Sequence, residues 1–381
     1  MLWSNGRDRC TIVPASAAKK EFPICSPFNR QVTMKYFLTL ALLLCALGML
    51  LCASPLLAND LGTVDSVSPT ACVTAAGSLP GICYALSVSC PNISSFTVYI
   101  KVWNQAPSVG TVLLTTNGGG TSTYEREYTY GSTVVQDLHN AGFTTVETSF
   151  GYPFSSTQPN GWLTGPGGPR ALACRYATVA FWVNQNIQAK LNIPLCATGN
   201  SAGSQVIAES LAHYNLGSIL TMAEETSGPP YQRIDIACIS PESAVVGPCG
   251  SELLPQLVGL GDAQHFVDPA YPGPWCSEAM ENSDSTHASR FLYDSVTSRD
   301  AILNYPGTFV NFLFGDDDYS SAPVMGTQYF LRITSPASMA CVSGAAHNMA
   351  DSVSGADQIV SDITTHCKLP AASAEKLETG D

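Results

Sequence analysis

The chain has 381 residues, 45% of them hydrophobic and 12% charged, with a formal net charge of −13. That length and apolar content suit a large globular core and exclude a disordered or fibrous chain. The acidic balance repels phosphate backbones and anionic lipid, which argues against nucleic acid as a partner; beyond residue 58 the bias grows, with 11 basic against 28 acidic side chains.

Residues 1–33 carry no core pattern, so this upstream extension is of doubtful status and Met34 is a candidate start. Residues 34–58 combine one lysine, a long apolar run, Pro55 and a terminal Ala58 ahead of Asn59-Asp60. This pattern predicts a cleaved secretory signal. An uncleaved signal anchor is the alternative, because the run is long enough to span a bilayer. No convincing lipobox precedes Cys45 or Cys52. After cleavage an exported protein with no stable membrane insertion is expected. Ten cysteines follow: Cys72, Cys83, Cys90, Cys174, Cys196, Cys238, Cys249, Cys276, Cys341 and Cys367. An even number in an exported chain predicts disulfides. Their spacings lack zinc-site form, and no metal is expected.

Residues 59–92, rich in Ser, Pro, Gly and Cys, read as a lead-in pinned by Cys72, Cys83 and Cys90. Residues 95–103 alternate, with Phe96, Val98, Ile100 and Val102 on one face, as a half-buried strand does. Residues 111–116 form a short apolar strand running into Asn117-Gly118-Gly119-Gly120. Val134, Val135 and Leu138 predict a helix, and residues 143–148 the next strand. Residues 151–169 are a long loop of the kind that is usually functional or disordered. Its aromatics Tyr152, Phe154 and Trp162 either line an acyl pocket or pin the loop to the surface. Leu172, Tyr176, Val179, Val183 and Ile187 then recur at helical spacing.

Residues 194–198 read as a buried strand, and Ile207, Leu211 and Tyr214 as one face of a helix starting at Ala202. Between them lies Gly199-Asn200-Ser201-Ala202-Gly203, a G-x-S-x-G pattern on a strand-to-helix turn. A serine there has a strained backbone, and small residues two before and two after let neighbouring segments pass closely. Its hydroxyl faces a helix N-terminus, where unpaired N–H groups favour developing negative charge. Ser201 is therefore the candidate nucleophile. Residues 218–224 read as a strand. Residues 229–300 then break the alternation and hold Cys238, Cys249 and Cys276. It resumes with an apolar strand at 308–314 ending in Gly315-Asp316-Asp317-Asp318. A helix from about Pro323, a short strand at 339–342, the loop Ser343-Gly344-Ala345-Ala346-His347, a helix bearing Ile359, Val360 and Ile363, and a polar tail at 368–381 complete the chain.

The elbow, the glycine run, the acids and the histidine, in that order, resemble the α/β-hydrolase superfamily over roughly residues 95–367. The resemblance implies an α/β fold, with a mostly parallel sheet flanked by helices over 93–367 and a cap-like insertion at 229–300. It implies that the nucleophile is followed by an acid and then a histidine base. His265 and His287 precede the acid strand and His366 sits on the last helix, so His347 matches the base. Gly315, Asp318 and Pro323 match the acid's setting, with Asp317 the second choice. Asn117 stands where the family often has histidine, and the N–H of Ala202 with Gly119 or Gly120 is the implied oxyanion hole. Asn117, Tyr152 and Trp162 are candidate substrate contacts.

The implied activity is cleavage of small-molecule or polymeric carboxylic esters through Ser201, His347 and Asp318 without a cofactor. A secreted peptidase with the same triad is the alternative, and a catalytically silent binding protein the third. A Cys341–Cys367 bridge is expected, since in this fold the last helix returns alongside the sheet; the rival pairs Cys367 with Cys72, Cys83 or Cys90.

Overall fold

The computed structural model describes residues 58–155, 160–188, 193–239, 249 and 263–369. The upstream extension and the proposed signal up to residue 57 therefore lie outside the described residues, as do 240–248 and 250–262 in the expected insertion and 370–381 of the expected tail. Nine strands make one sheet: β1 (Thr63–Thr70), β2 (Ile82–Ser89), β3 (Phe96–Trp103), β4 (Gly110–Thr115), β5 (Phe143–Ser149), β6 (Leu195–Asn200), β7 (Met222–Thr226), β8 (Phe309–Gly315) and β9 (Ala337–Val342). Their order is β1-β2-β3-β5-β4-β6-β7-β8-β9. The first three pair antiparallel, β3 meets β5 antiparallel, and every pair from β5 onward is parallel. This is the mostly parallel, helix-flanked sheet that the resemblance implied.

The central strands are buried almost throughout because both faces are covered: β4 and β8 are mainly apolar, whereas β5 and β7 also bury Glu147, Glu224 and Glu225. Successive residues of β4 point to opposite layers, Leu113 into one core and Val112 and Leu114 into the other. The same alternation splits Ala197 from Cys196, Ala223 from Met222, and Phe312 from Leu313. One layer is filled by the helices Cys174–Val183 and Ala202–Tyr214, through Tyr176, Val179, Val206, Ile207 and Leu211. The other is filled by Gly131–Asn140 and Val353–His366, through Val134, Leu138, Ile359 and Ile363. Each such aliphatic side chain contributes roughly 1.5–3 kcal/mol on full burial.

Several expectations change in detail. The stretch at 59–92 is not only a pinned lead-in, because β1 and β2 extend the sheet. The polar composition of β1 fits an edge strand: it is largely exposed, and its pairing with β2 shifts register between Val64 and Ser66. The strand expected at 218–224 begins later, at Met222. Asn215 ends the elbow helix in a left-handed conformation, and a 3-10 turn at Leu216–Ser218 uses up the next residues. Between β7 and β8 the chain forms the short helices Ile234–Ile239, Ala263–Val267, Trp275–Asn282 and Ala288–Tyr293 around a separate small core of Ile234, Val267, Tyr271 and Phe291.

All ten cysteines among the described residues pair, as Cys72–Cys83, Cys90–Cys174, Cys196–Cys367, Cys238–Cys276 and Cys249–Cys341. The expected Cys341–Cys367 bridge is overturned, and so is its rival. Cys341 is opposite Phe314, whose ring faces the first layer, whereas Cys367 caps a helix in the second layer beside Cys196. The sheet stands between the two sulfurs.

Candidate active site

The site begins with two glycines. A Cβ on Gly199 would come within 2.6 Å of the Gly203 backbone, and one on Gly203 within 2.4 Å of the Thr116 carbonyl. Only glycine lets strand and helix meet this closely. Between them Ser201 takes φ 56° and ψ −119°, a conformation costly for a residue with a side chain. It is held there from both sides: its N–H donates to the Thr226 carbonyl at 2.9 Å, and its carbonyl accepts from Gln205 N at 2.9 Å and Ser204 Oγ at 2.6 Å. The elbow helix Ala202–Tyr214 starts immediately after it.

The three aspartates beyond β8 have separate tasks. Asp316 accepts from the Gly344 N–H at 2.7 Å, and Asp317 lines the cavity beside Tyr319. Asp318 turns inward, is 3% exposed, and has its two carboxylate oxygens 3.2 and 3.1 Å from His347 Nδ1. Burial works to raise the Asp318 carboxyl, but hydrogen bonds from His347 and Ser320 outweigh it and hold the group below its ordinary value. That negative charge favours the proton on His347 Nδ1 and leaves Nε2 as an acceptor. Ser320, which carries no signal in the sequence, places its Oγ 2.9 Å from the same Nδ1.

His347 reaches this position because its loop crosses the end of β8. A Cβ on Gly315 would lie 2.1 Å from the Ala345 carbonyl, so the glycine is what allows the crossing. Asn200 supplies a second tether. Its Nδ2 donates to the His347 carbonyl at 3.1 Å, while its Oδ1 accepts from Met349 N at 3.2 Å and Thr226 Oγ1 at 3.0 Å. Sequence alone marks Asn200 only as a variable position in the elbow; its partners His347 and Met349 are 147 and 149 residues away.

Ser201, Asp318 and His347 line one cavity of about 580 Å³, together with Asn117, Gly118, Tyr231, Phe266 and Tyr319. Of the residues expected around them, Gly120 is displaced, because its N–H donates to the Asn117 carbonyl at 2.9 Å. The Asn117 N–H is taken by the Tyr128 hydroxyl at 2.8 Å, and the Asn117 side chain donates to Asn348 Oδ1 at 2.9 Å. Among the described residues this leaves the N–H groups of Gly118 and Gly119, of which Gly118 is in the cavity wall. Trp162 is fully buried and forms a smaller apolar pocket with Leu163, Ala202, Ile234 and Phe266. Tyr152 does not join it: the ring is 62% exposed and packs edge-on against Tyr99. Phe154 also packs on Tyr99, away from the cavity. The remaining histidine candidates go elsewhere, His287 stacking on Trp275 and His366 on Phe309, with His265 on the helix Ala263–Val267.

No protein-family model and no curated protein matches the chain. Solved structures do. Dienelactone hydrolase from Anabaena variabilis is 12% identical, with 76% of this chain and 98% of that one covered and a TM-score of 0.43. A thermostable carboxyl esterase from Bacillus coagulans is 12% identical over 74% of this chain and 97% of that one, TM-score 0.45. Alpha/beta hydrolase domain-containing protein 10 from mouse is 10% identical over 74% and 97%, TM-score 0.45.

Proposed function

We propose that this chain, which has the α/β-hydrolase fold, is an exported serine hydrolase that cleaves carboxylic esters. One observation carries the reading: a strained serine at a helix N-terminus shares a cavity with a histidine whose Nδ1 is held by a buried aspartate. In the proposed mechanism Ser201 Oγ attacks the ester carbonyl carbon as His347 Nε2 takes its proton. Asp318 holds the imidazole and stabilises the imidazolium. The oxyanion accepts from the N–H of Ala202 and from Gly118 or Gly119, where preorganised donors have most effect. His347 then returns the proton to the leaving alkoxide, and water, activated by the same imidazole, resolves the acyl-enzyme.

The export half of the proposal draws on the apolar run at 34–58 and on the five disulfides, which persist in oxidising compartments. Among the described residues no helix is long and apolar enough to cross a membrane. The test is labelling with a fluorophosphonate probe beside turnover of short- and long-chain p-nitrophenyl esters. Ser201→Ala is expected to lose labelling and at least about 10⁴-fold in kcat while keeping the fold. Turnover near wild type in that variant would remove Ser201 from the reaction.

A further inference from the structure

Asn92-Ile93-Ser94 is the one Asn-X-Ser/Thr triplet with a non-proline centre in the chain. It lies in the turn between β2 and β3, where Asn92 and Ser94 are exposed while Ile93 packs partly against the main core. Asn92 has φ 61°, a left-handed conformation that asparagine tolerates better than most residues. Two residues earlier, Cys90 is bonded to Cys174, so the turn is presented from a fixed base. The sequence motif and its placement agree: an acceptor asparagine belongs on an exposed loop of an exported chain.

The surroundings narrow what can occupy this surface. Asn92 borders a groove of about 660 Å³ whose walls include Asp60, Arg170, Arg290 and Tyr293. Both arginines are already neutralised, Arg170 by Asp300 at 2.9 Å and Arg290 by Asp294 at 2.6 Å. Neither arginine is therefore free to select an anion. The groove offers polar groups beside a half-exposed ring, since Tyr293 is 47% exposed and Arg170 lies 4.2 Å from the ring centroid. A neutral polyol with a flat apolar face fits that chemistry.

We propose that Asn92 is an N-glycosylation site and that the first sugars of its glycan lie along this groove. In the transfer, Asn92 Nδ2 bonds to the anomeric carbon of a lipid-pyrophosphate-linked oligosaccharide. The bond from that carbon to the pyrophosphate oxygen breaks, the lipid pyrophosphate leaves with the electron pair, and the amide proton passes to a base of the transferase. The Ser94 hydroxyl completes the acceptor. The proposal rests on the export reading, because the donor is used on the lumenal side of a membrane.

The full-length chain, translated with endoplasmic-reticulum microsomes, tests it. The protease-protected wild-type product is expected to migrate more slowly by one glycan and to shift back with endoglycosidase H. Asn92→Gln and Ser94→Ala lose that shift, whereas Ser94→Thr keeps it. A protected, oxidised wild-type product without an enzyme-sensitive shift overturns the site, as does a shift that persists in Asn92→Gln. No protected product at all overturns export and the site with it, a separate and recognisable failure. For the groove, the native glycoprotein is expected to lose its glycan several-fold more slowly than the denatured one, and Tyr293→Ala to reduce the difference; equal rates for the wild type would remove the seating.

Discussion

At Ser201 a strained backbone is maintained by the groups around it, and Asn200 has the widest reach among them. Its side-chain bonds join the elbow to the carbonyl of His347 and the N–H of Met349, so one amide ties the two ends of the proposed proton path. Each such buried bond contributes about 1 kcal/mol, but misplacement of an imidazole by an ångström costs far more in rate. Asn200→Ala is therefore expected to lower kcat by about 10–100-fold with KM little changed. The folded state should lose roughly 1–3 kcal/mol, measured by denaturant unfolding. Asn200→Asp, which keeps the acceptor and loses the donor, should fall between the two. A fully active Asn200→Ala would show that the histidine loop holds its place without the clasp.

Among the elements, β4 and β8 were legible because their apolar runs are nearly continuous, and the elbow because glycine spacing encodes a steric need. β1 was not, since an exposed strand with Ser, Thr and Pro in it looks like loop, nor was β2, whose Ser87 and Ser89 interrupt its apolar residues. Disulfide partners failed for a different reason. Pairing depends on which face of the sheet a cysteine meets, and one step along β9 exchanges the faces: Cys341 faces one layer and Val342 the other. Asn200 and Ser320 were also hidden, because a hydrogen bond to a distant loop leaves no local pattern. The observed bridges make a ranked prediction. Cys196–Cys367 spans 171 residues and Cys72–Cys83 only 11. Loop-closure entropy assigns them about 5 and about 3 kcal/mol respectively. Replacing both members of the longer bridge with serine should lower Tm more than the same change in the shorter one. The reverse order would point to strain or residual structure in place of chain entropy.

For the molecule as a whole, the acidic composition acts through a few buried groups. Burial raises the Glu147 carboxyl to about 7 and Asp294 to about 6, and pushes Glu224 and Glu225 well above the ordinary range. A carboxyl raised on folding stabilises most fully below its unfolded value, and that contribution is lost as pH rises through the folded value. Asp318 and Asp300 act oppositely. Both are held low, Asp300 at about 2 chiefly by its hydrogen bond from Arg170, so their contribution is lost as pH falls below about 4. Stability is thus expected to peak near pH 4–5, with Tm lower at pH 8 than at pH 5 by at least about 5 °C. Both oxygens of Glu225 are buried without a protein partner among the described residues, so Glu225→Gln should raise Tm at pH 8 and change it little at pH 4. A Tm that is level or rises from pH 5 to 8 would contradict this account.

The outer strand β1 has one more effect, on crowding. A free strand edge is a template onto which extended chains from other molecules can add, and repeated addition grows fibrils. Here Pro69 offers no N–H to such a recruit, the register break between Val64 and Ser66 disrupts the even spacing it needs, and Asp65 sets a charge beside the break. On the proposed export, which would take the chain beyond the reach of chaperones that would rescue it, a border that refuses to be copied is a gain.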